Sequence, residues 1–134
     1  MIRASVVTPE RLAKSGTENA NQAALFCYFQ QNIDKYPLAQ LLFAIPNGGL
    51  RDKVVAAKLK TTGVKAGVPD MFLPVARGDF HGLFIELKKD QKQPKSAAQD
   101  MWLNDLHNEG YECVLCFGWQ HAVETIIQYL EHRE

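Results

Sequence analysis

The chain has 134 residues, 46% of them hydrophobic, and 15 Lys and Arg residues balance 15 Asp and Glu residues, so the formal net charge is zero. These values are typical of one globular domain, and no run of about 18 apolar residues is present that would span a membrane. The first residues lack a secretory pattern, and the odd number of cysteines, three, argues against a disulfide framework. We therefore expect a cytoplasmic protein without a membrane partner.

The first part of the chain predicts an arm, a helix and a strand. Residues 1–16 show no clear period, and we expect a loose arm with a domain that covers residues 17–134. Apolar residues recur at helical spacing after Thr17, which is a suitable N-cap, and Tyr36-Pro37 ends this helix. The short apolar run 41–45 is typical of a strand.

A turn and a basic helix follow this strand. The segment Pro46-Asn47-Gly48-Gly49 has strong turn chemistry. Residues 50–62 predict a helix that ends at Gly63, with Val54, Ala57 and Leu59 on its inner side.

The remaining elements predict an α/β fold. Two strands close in sequence favour an antiparallel hairpin, and Pro74 in the first of them favours an edge or bulged position. A helix between Pro94 and Gly110, a strand and a last helix complete the order α-β-α-β-β-α-β-α, which predicts a mixed sheet covered by helices. The three strands and the last helix are predicted at residues 70–76, 82–88, 111–117 and 120–131.

The hairpin contains the best candidates for chemistry, Asp70, Glu86 and Lys88. Alternation along a strand puts Glu86 and Lys88 on one face, and the hairpin brings the Asp70 carboxylate beside that of Glu86. Paired carboxylates repel unless a cation lies between them, and hard oxygen ligands suit Mg²⁺ or Mn²⁺. A lysine beside them can orient or deprotonate a water. The alternative is an ordinary cross-strand salt bridge on a solvated face.

With these three residues the sequence resembles the PD-(D/E)xK nuclease superfamily, and within it the virus-type replication-repair nuclease (VRR-NUC) family. The resemblance covers roughly residues 17–130 and implies the αβββαβ core of a restriction-endonuclease-like fold. It depends on five motifs in order, Pro46-Asn47-Gly48-Gly49-x-Arg51, Gly63…Gly67-x-Pro69-Asp70, Ile85-Glu86-Leu87-Lys88, Ser96-x-x-Gln99-x-x-Trp102 and Gly110-Tyr111.

The resemblance implies roles for the residues of the central motif. It implies that Asp70 and Glu86 bind a divalent metal, that the backbone carbonyl of Leu87 completes the metal shell, and that Lys88 assists the attacking water. No nucleotide cofactor is expected.

Residues on two helices are also implied to lie near the site. On the first helix they are Glu18, as a further metal ligand, and Gln22, as a DNA contact; the alternative is a capping-region Glu and a surface Gln. Gln99 is implied to position a water, Lys88 or the DNA backbone, and its alternative role is an N-terminal capping contact.

The turn before the basic helix is a candidate DNA contact. Glycines let backbone N–H groups approach a phosphate closely, so Gly48 and Gly49, with Asn47, are suited to this task. Arg51 and Lys53 follow at the start of a helix, whose N-terminus favours anions. The alternative is a tight connection that only needs positive φ.

The zero net charge conceals an uneven distribution. Residues 51–95 contain ten basic and five acidic groups, whereas residues 96–134 contain one basic and seven acidic groups. This asymmetry indicates an anionic partner at the middle of the chain, with Lys89 among the expected DNA contacts. The alternative is a solvated surface on which the charges interleave.

Two other features predict structure and not chemistry. Cys113 and Cys116 have a C-x-x-C spacing, but a zinc site needs two further ligands, so we interpret them as buried reduced thiols. The aromatic residues around Phe26, with Trp102 and Trp119, are expected in the core or at an interface.

Together these features predict a Mg²⁺- or Mn²⁺-dependent DNA endonuclease. Members of the family without appended domains resemble phage or bacterial proteins that act on branched DNA, which implies a homodimeric Holliday-junction resolvase. A two-fold dimer would cut two strands symmetrically. The alternatives are a flap or structure-selective repair nuclease and a non-catalytic DNA-binding subunit that keeps the fold.

Overall fold

A computed structural model describes residues 6–46 and 53–132, and the predicted order of elements is confirmed, with one short helix before it. The helices are α1 (Pro9–Leu12), α2 (Glu18–Gln31), α3 (Lys53–Thr61), α4 (Ala97–Asn108) and α5 (Trp119–Glu131). The strands are β1 (Phe43–Ala44), β2 (Met71–Leu73), β3 (Leu83–Lys88) and β4 (Glu112–Phe117). Within the described ranges, no helix is long and apolar enough to cross a membrane.

The four strands form one mixed sheet in the order β1-β2-β3-β4. The pairs β1–β2 and β2–β3 are antiparallel, which confirms the predicted hairpin, and β4 lies parallel to β3. The prediction that Pro74 marks an edge or bulged strand is wrong, because β2 lies between two neighbours. Pro74 stands just after the end of β2, where its missing N–H costs no ladder hydrogen bond.

One face of the sheet forms the core. Leu83, Ile85 and Leu87 alternate along β3 and are at most 1% exposed. They belong to one apolar cluster with Leu25 of α2 and Ile126 of α5, so these two helices cover this face. The even-numbered residues of β3 therefore point to the opposite face.

Helix α2 begins as predicted but ends early. Thr17 is its N-cap, since its hydroxyl accepts a hydrogen bond from the Ala20 N–H at 3.1 Å. The helix ends at Gln31, and its C-cap Asn32 donates from both the backbone N–H and the side-chain amide to the Tyr28 carbonyl. A 3₁₀ helix at Pro37–Leu41 follows and includes the first residue of the predicted strand 41–45, of which Phe43–Ala44 form β1.

Helix α3 lies on the surface, although the sequence predicts a buried inner side formed by Val54, Ala57 and Leu59. Val54 is 79% exposed and Ala57 is exposed, while Leu59 is partly buried. The prediction was wrong because Val54 and Leu59 are five residues apart, which separates them by about 140° around a helix.

The described part of the predicted arm is not loose. Leu12 of α1 and Ala13, in a 3₁₀ turn after it, pack against the apolar cluster. The Gln31 side-chain amide also donates to the Val7 carbonyl at 2.6 Å. Residues 6–16 therefore form a cover for α2.

Candidate functional site

The register of the hairpin places Asp70 and Glu86 opposite each other. Met71 pairs with Ile85, so the next step of the antiparallel ladder puts Asp70 against Glu86, on the face away from the core. Glu86 and Lys88 are 2% and 4% exposed. This burial does not fit the alternative of a salt bridge on a solvated face.

The Asp70 side chain is held by the backbone of β3. Its Oδ2 accepts a hydrogen bond from the Leu87 N–H at 2.7 Å. In an antiparallel pair the N–H and C=O of one residue face the same neighbouring strand, so the Leu87 carbonyl also faces the strand of Asp70. Two carboxylates and one carbonyl therefore converge here, which is a donor set of hard oxygens suited to Mg²⁺ or Mn²⁺.

Both carboxyl groups are harder to ionise than usual. Burial raises the pKa of Glu86 from its ordinary value of 4.5 to about 8, and the Asp70 charge adds to this rise. Burial also raises the pKa of Asp70, from 3.8 to about 6, although the Leu87 N–H opposes the rise. The protonated form of Glu86 is therefore favoured in the absence of a cation, and a bound cation would take the place of that proton.

Gln99 connects the two strand residues to helix α4. Its Nε2 donates to Glu86 Oε1 at 2.6 Å, and its Oε1 accepts from Lys88 Nζ at 3.0 Å. The same Oε1 accepts from the Ser96 N–H at 2.9 Å, and the Gln99 N–H donates to the Ser96 hydroxyl at 3.1 Å, which completes a capping box. The two alternatives for Gln99, contact with Lys88 and helix capping, are thus both present.

A glycine lets the segment before Asp70 reach helix α4. Gly67 has a φ of +85°, and a Cβ built on it would lie 2.6 Å from the Cβ and 2.7 Å from the backbone carbonyl carbon of Ala98. Any larger residue would push these backbones apart. Gly67 therefore sets the separation between the Asp70 segment and the first turn of α4, which contains Gln99.

Glu18 lies near the pair but is held by a residue that sequence reasoning missed. Its negative charge raises the pKa of both Asp70 and Glu86. Its Oε2 accepts from the Gln93 Nε2 at 2.7 Å, and the Gln93 Oε1 accepts from the Lys89 N–H at 3.2 Å. In the described ranges no group of three acidic, histidine or cysteine side chains could hold one metal, so Asp70 and Glu86 are the side chains of the donor set that also includes the Leu87 carbonyl.

Asn21 is a second residue that sequence reasoning missed. It is 7% exposed, its Nδ2 donates to the Thr17 carbonyl at 2.9 Å, and its Oδ1 accepts from the Trp119 N–H at 3.0 Å. The adjacent Gly118 N–H donates to the Lys88 carbonyl at 2.8 Å. These bonds tie the start of α2 to the end of β3. No local pattern distinguishes Asn21 or Gln93 from surface amides.

The other predicted residues lie around this centre or outside the described residues. Gln22 lines a groove between α2 and β1, and Lys89 is exposed directly after β3. The side chain of Lys53 and the residues Asn47, Gly48, Gly49 and Arg51 fall outside what the structure describes.

The cysteines of the C-x-x-C spacing are poor zinc ligands. Burial raises the pKa of the Cys113 and Cys116 thiols to about 11 in each case. Zinc binds the thiolate form, which this shift disfavours.

We predict that Glu86→Gln stabilises the metal-free protein at alkaline pH. The pKa of Glu86 is about 8 in the folded state and has its ordinary value of 4.5 in the unfolded state. Between these two values the folded state binds more protons than the unfolded state, so the stability falls as the pH rises from 4.5 to about 8. Glutamine has no such proton, so above the raised pKa the variant should melt roughly 5 °C higher than the wild type. Thermal melts at several pH values test this.

The exposed Glu124 provides the matched control. Glu124→Gln should melt like the wild type at every pH. The interpretation of Glu86 would be wrong if Glu86→Gln and the wild type lost stability equally as the pH rises.

Comparisons with known proteins agree on one family. The family model for the VRR-NUC domain matches residues 9–120. A solved structure described as a VRR_NUC domain protein is 34% identical and superimposes with a TM-score of 0.68, over 86% of this chain and 88% of the other. No curated protein matches the chain.

Proposed function

The chain belongs to the VRR-NUC domain family, which implies a nuclease of the PD-(D/E)xK type, and we propose that it is a Mg²⁺- or Mn²⁺-dependent endonuclease that hydrolyses phosphodiester bonds of DNA. One observation carries the metal dependence. The carboxyl groups of Asp70 and Glu86 are paired in a buried site where both pKa values are raised, an arrangement that a divalent cation relieves.

Asp70, Glu86 and the carbonyl of Leu87 would hold the metal. A divalent ion held by these groups would supply polarisation of the scissile phosphate and a lowered pKa of a water. Glu18 would add negative charge, and we propose that it reaches the same ion through a water, since Gln93 holds one of its oxygens.

Lys88 would act on the water and on the developing negative charge. Its Nζ lies 3.0 Å from Gln99 Oε1 and 3.9 Å from Glu86 Oε1, so the ammonium is oriented before the substrate arrives. A fixed charge in a buried site stabilises a transition state without reorganisation. Gln99 is then a positioning residue, because it touches both Glu86 and Lys88.

The DNA backbone would approach along the basic border of this site. Lys89 and Lys92 are exposed on the loop that follows β3, and Lys65 is exposed two residues before Gly67. Lys95 is already paired with Asp100 at 2.9 Å. Contacts of such lysines with phosphates give an affinity that falls with salt. We extend this proposal to the turn at Asn47, Gly48, Gly49 and Arg51 and to Lys53.

We propose branched DNA as the substrate, with a homodimer that resolves four-way junctions in the cytoplasm of a bacterial or phage-infected cell. Each protomer has one Asp70–Glu86 pair, so one protomer can attack one strand at a time. A two-fold dimer would present two such pairs to two strands of like polarity. This geometry predicts paired, symmetric nicks.

A cleavage assay tests the proposal on a four-way junction, a flap and a perfect duplex. We expect cutting of the junction with Mg²⁺ or Mn²⁺, complete loss with EDTA, and recovery when the metal is restored. Paired nicks support a resolvase, and cutting of the flap alone supports a structure-selective repair nuclease. Binding to all three DNAs without any cutting would contradict the endonuclease and favour a non-catalytic subunit.

A further inference from the structure

Gln93 joins the loop that follows β3 to the start of helix α2. Its side chain is half-buried, and its Nε2 donates to Oε2 of Glu18 at 2.7 Å, across 75 positions of the chain. Its Oε1 accepts a hydrogen bond from the Lys89 N–H at 3.2 Å. Both ends of one amide are therefore used, one on the backbone of the loop and the other on a carboxylate.

The loop end of Gln93 is anchored to the strand that holds the site. Lys89 directly follows Lys88, the last residue of β3. Within the loop, the Lys92 N–H donates to Asp90 Oδ1 at 2.9 Å, and the Gln93 N–H donates to the Asp90 carbonyl at 3.4 Å. These bonds form a turn that returns the Gln93 side chain to the end of β3.

The backbone of Glu18 is held in place, but its side chain needs a partner. The side chain of Asn21 accepts from the Trp119 N–H at 3.0 Å and donates to the Thr17 carbonyl at 2.9 Å, so the start of α2 is fixed. The Glu18 side chain is only half-buried, and a long side chain of this kind keeps several rotamers unless a partner holds it. The hydrogen bond from Gln93 therefore selects the rotamer.

The selected rotamer keeps the Glu18 charge close to the proposed metal site. This charge acts on both Asp70 and Glu86 as a like charge. Gln93 is neutral, so it fixes the carboxylate without cancelling its charge, whereas a lysine or an arginine in its place would pair with it. Glu18 therefore keeps its attraction for a divalent cation.

We propose that Gln93 is a positioning residue, which holds Glu18 toward a divalent cation bound at Asp70 and Glu86. The proposal rests on the proposed metal-dependent function and adds to it a residue that acts on the metal only through Glu18. Partners of this kind fix the orientation of a carboxylate near a metal, and their loss lowers the affinity for the metal.

The first variant, Gln93→Leu, removes both hydrogen bonds at nearly constant volume. We expect the affinity for Mn²⁺, measured by calorimetric titration of the DNA-free protein, to fall about tenfold. The kcat of cleavage at subsaturating Mn²⁺ should fall with it, while KM and the binding of DNA in EDTA stay unchanged, because the metal site and not the DNA contacts is altered. Gln93→Asn is polar but one methylene shorter, so it should lose affinity in the same way, and it replaces the leucine variant if that protein does not fold.

A double-mutant cycle separates positioning from a merely structural effect. Glu18→Gln should lower the Mn²⁺ affinity, because it removes the charge that Gln93 positions. Adding Gln93→Leu to Glu18→Gln should cause no further loss, since Gln93 then has no carboxylate to hold. Gln91→Leu is the matched control, because Gln91 is an exposed glutamine in the same loop, and this variant should bind Mn²⁺ like the wild type.

Two results would overturn the proposal. One is a wild-type affinity for Mn²⁺ in both Gln93→Leu and Gln93→Asn. The other is a further loss of affinity, as large as that of Gln93→Leu alone, when this change is added to Glu18→Gln, because Gln93 would then act independently of Glu18.

The failure of this inference is distinguishable from failure of the proposed function. If the wild-type protein cuts junctions but the two losses of affinity multiply, only the role of Gln93 is wrong. If the wild type binds Mn²⁺ and the cycle shows the expected coupling but no DNA is cut, the endonuclease is wrong and the role of Gln93 stands. A wild type that binds no Mn²⁺ would contradict both.

Discussion

Asp70→Asn should abolish DNA cleavage, by about 1,000-fold or more, and leave DNA binding nearly unchanged. An amide carries no negative charge and binds Mg²⁺ or Mn²⁺ poorly, whereas the oxygen of Asn can still accept the hydrogen bond that the Leu87 N–H gives to Asp70 at 2.7 Å. The fold should therefore persist. Cleavage rates, binding of a four-way junction and calorimetric titration with Mn²⁺ measure the three effects separately.

Asp34→Asn is the matched control for this variant. Asp34 is exposed after the end of α2, so the same change of charge there should leave cleavage and metal binding unaltered. If Asp70→Asn cuts DNA at the wild-type rate in a metal-dependent way, the assignment of Asp70 to the catalytic site is wrong. A loss of cutting with unchanged Mn²⁺ affinity would place Asp70 in another role than metal binding.

Lys88→Met should reduce cleavage roughly 100- to 1,000-fold while Mn²⁺ still binds. The ammonium of Lys88 lowers the pKa of both Asp70 and Glu86, so its removal should raise both values further. Metal binding must then displace more tightly held protons, and the remaining activity should require a higher pH than that of the wild type. The pH profile of cleavage and the Mn²⁺ affinity at each pH test this.

Methionine fills much of the volume of the buried lysine and so limits the effect on stability. Lys14→Met is the control, because Lys14 is exposed in the 3₁₀ turn after α1. It should retain both the rate and the pH profile of the wild type. The assignment of Lys88 fails if its replacement lowers DNA binding and cleavage by the same factor at every pH, since that result indicates a phosphate contact alone.

The charge pattern illustrates how far composition can mislead. A net charge of zero seems to exclude a nucleic-acid partner, but the surplus of basic residues lies between positions 51 and 95. Lys65, Lys89 and Lys92 are exposed, in the segments that precede Asp70 and follow Lys88 along the chain. Local charge density and not the total therefore determines which surface attracts an anion.

Sequence by itself determined the type of fold and the centre of the site. Strand alternation and a short hairpin are local properties, and they were sufficient to predict that Asp70 and Glu86 share one face with Lys88. The N-cap at Thr17 was also predictable, because a hydroxyl that caps an N–H three residues later is a local sequence feature.

Tertiary structure alone decided what surrounds that centre. Burial of the carboxyl pair depends on the approach of α4, which Gly67 permits, and the amide of Gln93 meets Glu18 across 75 positions of the chain. Such contacts join elements distant in sequence, and no periodicity within one element encodes them. For this reason the sequence predicted the charged residues, and the packing determined their pKa values and their partners.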